Sequence, residues 1–363
     1  MRNSTAFILN FAPHYRGLIF NKISKELKVD FYFGNIPNSS IKKIDYSTLN
    51  GFQKEFKTTV FLGFYWYTNM LKLIFTKNYK RFVLTGDVHI LSNWVFILLC
   101  RLKGRKVYLW SHGWYGDEKG LRSIIKFSFL RSTDGLFVYG NYARNLLLNK
   151  GFSSKKVVTV FNSLNYYEQL EIREKLSCND IYSNFFDNRY PVLVYIGRVQ
   201  KSKKIELLFE AMRILIKEGL FINLMVIGGV DSDYNLENYL DNDLKKNVFF
   251  YGACYDEKKN AELLFNANLC VSPGNVGLTA IHSLMYGTPV VTNDSFCDQG
   301  PEFEVIEEGV TGLFFKNNDF LSLARTIKKA LSMEFKKSNC YNVIDSYWTP
   351  DKQIERFLKL LKE

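Results

Sequence analysis

The chain has 363 residues, 47 % of them apolar and 23 % charged. That is enough apolar material for two cores of ordinary size, at roughly 150 residues per domain. The net charge is +12. It is unevenly placed: residues 1–175 hold 27 Lys+Arg against 11 Asp+Glu, a net +16, and the remainder is net −4. A basic half of this kind attracts an anionic surface or substrate, such as phospholipid, a lipid-diphosphate acceptor or nucleic acid. The six cysteines, at 100, 178, 254, 270, 297 and 340, form no Cys-x-x-Cys pair and no metal-ligand spacing, so they read as reduced thiols of a cytoplasmic protein. The apolar N-terminal stretch Ala6–Phe11 is too short for a signal peptide. No window reaches the roughly 18 uncharged apolar residues of a spanning helix. A cytoplasmic protein, peripheral on the inner face of the membrane, is expected.

In chain order, Phe7–Leu9 reads as a strand, Leu18–Leu27 as a helix and Asp30–Phe33 as a second strand, with Val60–Phe64 as a third. Phe82–Leu84 is followed by a loop at Gly86-Asp87 and a helix over Ser92–Leu102. Lys106–Leu109 is a strand running into Ser111-His112-Gly113, and Gly135–Val138 and Val157–Val160 close the first domain. Strands alternating with helices imply a parallel sheet with crossovers. Residues 166–190 are polar and read as a linker plus a helix.

The alternation restarts at Pro191, with strands Val192–Ile196, Leu224–Ile227, Val248–Tyr251, Leu269–Val271 and Pro289–Thr292. Helices fall over Ile205–Ile216, Glu257–Phe265, Leu278–Tyr286 and Phe320–Leu331. The tail from Pro350 has helical spacing at Ile354, Phe357, Leu358 and Leu361. We divide the chain into two Rossmann-like domains, residues 1–170 and 171–345. A C-terminal helix, 346–363, crosses back to the first.

In such sheets ligands bind beyond the carboxyl ends of the strands, and several Gly-bearing loops fall there. After the strand at 269–271 comes Ser272-Pro273-Gly274-Asn275-Val276-Gly277-Leu278-Thr279, and then a helix. Free amides at Gly277, Leu278 and Thr279 would suit a phosphate. Asn275, Thr279 and His282 recur every three to four residues and are expected to share one face. Tyr195-Ile196-Gly197-Arg198 with Lys203 forms a second cluster. Gly197 permits close approach, and the two cations would neutralise a diphosphate.

These pieces, together with Val226–Gly229, Val248–Gly252, Phe265–Asn268, Gly287–Val291 and Glu308–Leu313, resemble glycosyltransferase family 4 in order and spacing. The likeness covers residues 190–330 well. It covers the first half loosely, through Pro13–Arg16, Ser111–Gly113 and Asn162-Ser163. It implies an α/β protein of GT-B fold, two Rossmann-like domains with parallel sheets facing across a cleft. The implied activity is transfer of a hexose, with retention, from a nucleoside-diphosphate sugar to a lipid-linked or polysaccharide acceptor in surface-glycan synthesis.

The resemblance gives Arg198 and Lys203 to the donor diphosphate, Gly277 and Leu278 to its β-phosphate or sugar, and the Gly252-Ala253 loop to its base. Two carboxylates usual in the family are replaced by Gly274 and His282; Glu302 or Glu304, beyond a long loop, would supply one from another direction, and we take Glu304. His112 is expected to assist the acceptor or contact the donor sugar, and His14, Tyr15, Arg16 and Asp87 to lie on the acceptor side. Asp117 and Glu118 read as solvated. The triplets Asp231-Ser232-Asp233 and Asp241-Asn242-Asp243 fit a solvated surface, and no metal is expected. The aromatic and basic stretch Phe61–Lys80 suits a membrane interface or a core helix with a basic face. Two alternatives remain: a sugar-nucleotide epimerase or hydrolase on this fold, or a non-catalytic relative that binds a nucleotide sugar or nucleic acid.

Overall fold

The structure, a computed structural model, describes residues 3–35, 42–76, 79–231, 234 and 236–362. Two compact units result: residues 1–165 with 350–363, and residues 166–349.

The first unit is built on strands β1 (Thr5–Leu9), β2 (Val29–Phe33), β3 (Phe52–Glu55), β6 (Arg81–Thr85), β7 (Lys106–Ser111), β8 (Gly135–Val138) and β9 (Val157–Thr159). They form one parallel sheet in the order β3-β2-β1-β6-β7-β8-β9. β1, β8 and the β7 residues after Lys106 are buried throughout, as expected of strands covered on both faces. The covering helices are α1 (Gly17–Leu27), the short α2 (Leu73–Thr76), α3 (Leu91–Leu102), α4 (Gly120–Arg131) and α5 (Asn141–Asn149).

The segment Val60–Phe64 is not the third strand of this sheet. It is the bend of a separate antiparallel hairpin, β4 (Thr58–Phe61) and β5 (Phe64–Tyr67). Leu62 and Gly63 both take positive φ, 49° and 80°, the geometry of a two-residue hairpin turn. The edge position belongs to β3, whose polar residues mask it as a loop in the sequence.

The second unit carries strands β10 (Val192–Ile196), β11 (Asn223–Ile227), β12 (Val248–Gly252), β13 (Leu269–Ser272), β14 (Val290–Asn293) and β15 (Gly312–Phe315), ordered β12-β11-β10-β13-β14-β15 and all parallel. Around them lie α6 (Tyr166–Arg173), α7 (Glu206–Lys217), the one-turn α8 (Asn242–Lys245), α9 (Glu257–Asn266), α10 (Thr279–Met285), α11 (Phe320–Ser332) and α12 (Lys337–Tyr347). The polar stretch 166–190 is packed in: Gln169 donates to Glu257 at 2.8 Å, and both terminal nitrogens of Arg173 pair with Asp345 at 3.1 and 2.8 Å. The boundary thus falls at 165/166, and α12 belongs to this unit.

The last helix, α13 (Pro350–Leu361), is part of the first unit. Phe357 wedges among Phe7, Trp110 and Phe137, with ring centroids 5.9, 5.0 and 4.7 Å away. Gln353 donates to the Phe161 carbonyl at 2.7 Å and accepts from Ser163 at 2.9 Å. Such buried amides fix the register of the helix because an unpaired one would cost roughly 1–3 kcal/mol.

Candidate active site

In the second unit the chemistry gathers beyond β10 and β13. β10 ends at Ile196, and Gly197-Arg198 follow. Lys203 closes a short 3-10 turn over Lys201–Lys203. Its Nζ donates to the Asn275 carbonyl at 2.5 Å. Burial pushes the Lys203 pKa down, the Glu302 carboxylate opposes that, and the Arg198 charge adds to it. A partly desolvated cation beside a second one is primed to gain from an incoming anion.

The loop after β13 is locked against this turn. The Gly274 amide donates to the Lys203 carbonyl at 2.9 Å. A Cβ at 274 would sit 2.3 Å from the Ser202 carbonyl oxygen and 2.7 Å from the Lys203 Cα. Only glycine fits here, because the lysine-bearing backbone occupies the space of any side chain. From the other side, Asn293 donates to the carbonyls of Pro273 and Gly274, both at 2.9 Å. Thr292 donates to Ser272 at 2.8 Å, and buried Gln299 accepts the Val276 amide at 2.8 Å. Gly277 then turns the chain with φ +51° into α10. Among the described residues, the amides of Gly277, Leu278 and Thr279 meet no protein acceptor.

The expected shared face of Asn275, Thr279 and His282 does not form. α10 begins only at Thr279, leaving Asn275 in the loop. Asn275 donates to the Asp298 carbonyl, and the Thr279 hydroxyl to Ile196 at 2.7 Å. His282 turns to Glu257, its Nε2 2.9 Å from Oε1. The same Glu257 oxygen accepts from Tyr286 at 2.6 Å as well as from Gln169. Burial alone would raise the Glu257 pKa; the electrostatic pull of His282 and the hydrogen bonds from His282, Tyr286 and Gln169 outweigh it and hold the carboxyl down at about 2. Glu257 was not singled out from the sequence. Its signal was Asp256-Glu257 at a helix start, where Asp256 caps the Lys258 amide at 2.9 Å.

Of the two acids after the long loop, Glu302 is the one buried, at 5 % exposure, and coupled to Lys203; Glu304 is half-buried on the same turn. Gly252 ends β12 with φ +81° and open space where a Cβ would lie. Asp241 is a structural cap, accepting from Leu244 and pairing with Arg213 at 2.7 Å; Ser232 and Asp233 lie outside the described residues.

In the first unit a cavity of about 610 Å³ opens beyond β1, β6 and β7. Arg16, Asp87, His89, His112 and Lys126 reach its wall. The Arg16 guanidinium lies over Trp110 and Tyr139, 5.4 and 5.3 Å from the ring centroids. It donates to Tyr139 Oη at 2.9 Å and to Asn162 at 3.3 Å. The His112 ring packs on Tyr139 at 4.9 Å and Tyr115 at 6.0 Å. His112 is exposed at the cavity mouth, but the surrounding protein desolvates its ring and the Arg16 and Lys126 charges repel a proton, so its pKa falls to about 4. His112 is therefore neutral near pH 7, a hydrogen-bonding group and not a cation.

Asp87 holds His89, accepting from its amide and facing Nδ1, both at 2.9 Å. Glu118 is not a solvated surface residue: it clasps the amides of Tyr115 and Gly116 at 2.9 Å and pairs with Lys126. His14 faces the Lys42 carbonyl at 3.2 Å and does not line the cavity. The Tyr15 side chain lies outside the described residues.

Two parallel sheets, each with its polar clusters at the carboxyl ends of the strands, limit the fold to few possibilities. The whole chain superposes on Anabaena HepE in complex with UDP with a TM-score of 0.74, at 13 % identity and 99 % coverage of both chains. The fold is GT-B. Residues 179–343 match the family model described as glycosyl transferases group 1. Curated relatives include an uncharacterized 41.2 kDa protein of the Klebsiella pneumoniae cps region, 24 % identical over 56 % of this chain and 53 % of that one. Another is the capsular polysaccharide biosynthesis glycosyltransferase CapM of Staphylococcus aureus, 25 % identical over 39 % of this chain and 37 % of that one. The aligned region thus spans about half or less of each relative. Among the described residues, no helix is long and apolar enough to cross a membrane.

Proposed function

We propose that this GT-B chain is a glycosyltransferase of surface-polysaccharide synthesis. It moves a sugar, a hexose and with retention, from a nucleoside-diphosphate donor to a lipid-linked or glycan acceptor. The observation that carries the reading is Lys203, a desolvated cation braced on Asn275 beside Arg198, within the segment that matches glycosyl transferases group 1. In this reading the two cations stabilise the diphosphate as it departs, in place of a metal ion, and the amides of Gly277–Thr279 hold its oxygens. The leaving phosphate accepts the acceptor's hydroxyl proton. The UDP bound to HepE and the capsular role named for CapM support this reading. By the resemblance His282 replaces a carboxylate that contacts the ribose hydroxyls, and we assign those hydroxyls to His282 together with its partner Glu257. Arg16, Asp87 and neutral His112 receive the acceptor. The basic first half suits an enzyme working peripherally at the anionic inner face of a membrane.

The test is release of nucleoside diphosphate from UDP-, GDP- and dTDP-sugars, with and without a lipid-linked glycan precursor. Release from one donor that requires the precursor supports transfer. Acceptor-independent interconversion or hydrolysis of the sugar nucleotide would replace it with an epimerase or hydrolase.

A further inference from the structure

One helix of the first unit is apolar on the wrong side. α3 buries Phe96, Ile97 and Cys100. Its opposite face carries Leu91, Val95, Leu98 and Leu102, at steps of four, three and four, a single stripe along the helix. Leu98 and Leu102 are 59 % and 74 % exposed. A surface helix ordinarily places polar residues there.

The stripe is part of a larger patch. The hairpin β4–β5 is tied to the start of α3: the Tyr65 amide donates to His89 at 2.9 Å and the Tyr67 amide to Ser92 at 3.2 Å. Its tip exposes Phe61 and Leu62 by 71 % and 81 %, with Val60, Phe64 and Trp66 behind them. At the other end of α3, exposed Phe75 lies 5.8 Å from the Lys103 ammonium.

The segment that carries this patch is almost uniformly basic. Residues 56–116 contain nine Lys and Arg and a single acid, Asp87, which is engaged by His89. Beside the last turn of α3, Lys80, Arg81, Lys103, Arg105 and Lys106 line one cavity of about 680 Å³. A second copy of this chain would bring the same cations against themselves, which disfavours a symmetric dimer through this face. Apolar side chains rimmed by Lys and Arg match a bilayer whose headgroups are anionic.

We infer that the β4–β5 hairpin tip and the outer stripe of α3 form a docking face for an anionic lipid bilayer, with the basic cavity at the end of α3 taking headgroup phosphates. The hairpin is hydrogen-bonded to His89 on the wall of the 610 Å³ cavity, so docking brings that cavity to the lipid surface. This last step rests on the proposed transfer to a lipid-linked acceptor; the docking face itself does not.

Flotation of the full chain with vesicles tests it. The wild type should float with vesicles containing phosphatidylglycerol and stay behind with pure phosphatidylcholine, and added salt should weaken the binding. Leu98→Asp/Leu102→Asp and Phe61→Asp/Leu62→Asp should each cut the bound fraction roughly tenfold, since each removes two leucine- or phenylalanine-sized groups from the apolar contact. Their melting temperature and their binding of nucleoside diphosphate should match the wild type. Equal flotation of variants and wild type would overturn the inference, as would no flotation with either vesicle. So would a wild-type dimer that Leu98→Asp/Leu102→Asp converts to monomer. A protein that floats but binds no nucleotide would sink the donor reading and leave the docking face standing; one that binds nucleotide and never floats would do the reverse.

Discussion

The two units hold their functional groups by different means. In the second unit the Lys203 turn is joined to the 273–277 loop by the Gly274 amide and the Lys203 ammonium, and the side chains of Thr292, Asn293 and Gln299 grip the backbone of that loop from the other side. In the first unit Arg16 and His112 are held mainly by aromatic faces, those of Trp110, Tyr115 and Tyr139. A backbone-braced site tolerates almost no change of side-chain volume. An aromatic-braced one tolerates change in shape but depends on planar, charged partners. The substitutions below separate these two behaviours.

The largest effect is expected at Lys203. Lys203→Ala should lower turnover by about 10²–10³, the range for loss of one preorganised electrostatic group, with little change in melting temperature. Full activity on the native donor would remove the cation from the mechanism. Next comes Gly274. Gly274→Ala drives a methyl into the Ser202 carbonyl and should destabilise the chain by about 1–3 kcal/mol, read by urea unfolding. Gly274→Glu, which places a carboxylate there, should therefore unfold the loop and not raise activity.

In the first unit, Arg16→Lys keeps the charge but loses the flat stacking on Trp110 and Tyr139. It should raise the KM for acceptor roughly tenfold, a loss of about 1.4 kcal/mol, and leave the donor KM alone. An effect confined to the donor would mean that the first-unit cavity is not the acceptor site.

The smallest effects are in pH dependence. Glu257 has a depressed pKa in the folded chain, so the stability it contributes is complete above the ordinary carboxylate range, near 4.5, and is lost as pH falls towards about 2. Glu257→Gln should flatten the acid limb of the melting curve over that window. His112 has its pKa lowered from 6.5 to about 4, so the unfolded chain takes up a proton there first. Stability should fall as pH drops from about 6.5 to about 4, and His112→Asn should lessen that fall.

The same contrast decides what could be read in advance. The alternation of buried strands with amphipathic helices disclosed both parallel sheets, and helices such as α7 and α11 carried clear apolar stripes. The second-unit site was legible because backbone bracing demands glycine, proline and small polar residues close together in sequence. The partners of that site were not: Glu257 approaches His282 from a different helix, and nothing local shows that the Ser202 carbonyl and Lys203 backbone leave room only for glycine at 274. In the first unit Arg16 meets Tyr139 across 123 residues, a pairing no local pattern encodes. β3 was hidden by its polar residues, and α4 by a sequence that is apolar on its exposed side, at Leu121, Ile124 and Ile125. The hairpin β4–β5 resembled a buried strand because its apolar residues face outward.

The most direct test is titration of the purified chain with UDP, GDP and dTDP by calorimetry, repeated on Lys203→Ala and Arg198→Ala. Saturable binding of one nucleoside diphosphate, lost or greatly weakened in both variants, is the predicted result. Binding that both variants retain unchanged, or no binding of any of the three by the wild type, would contradict a donor diphosphate site at the end of β10.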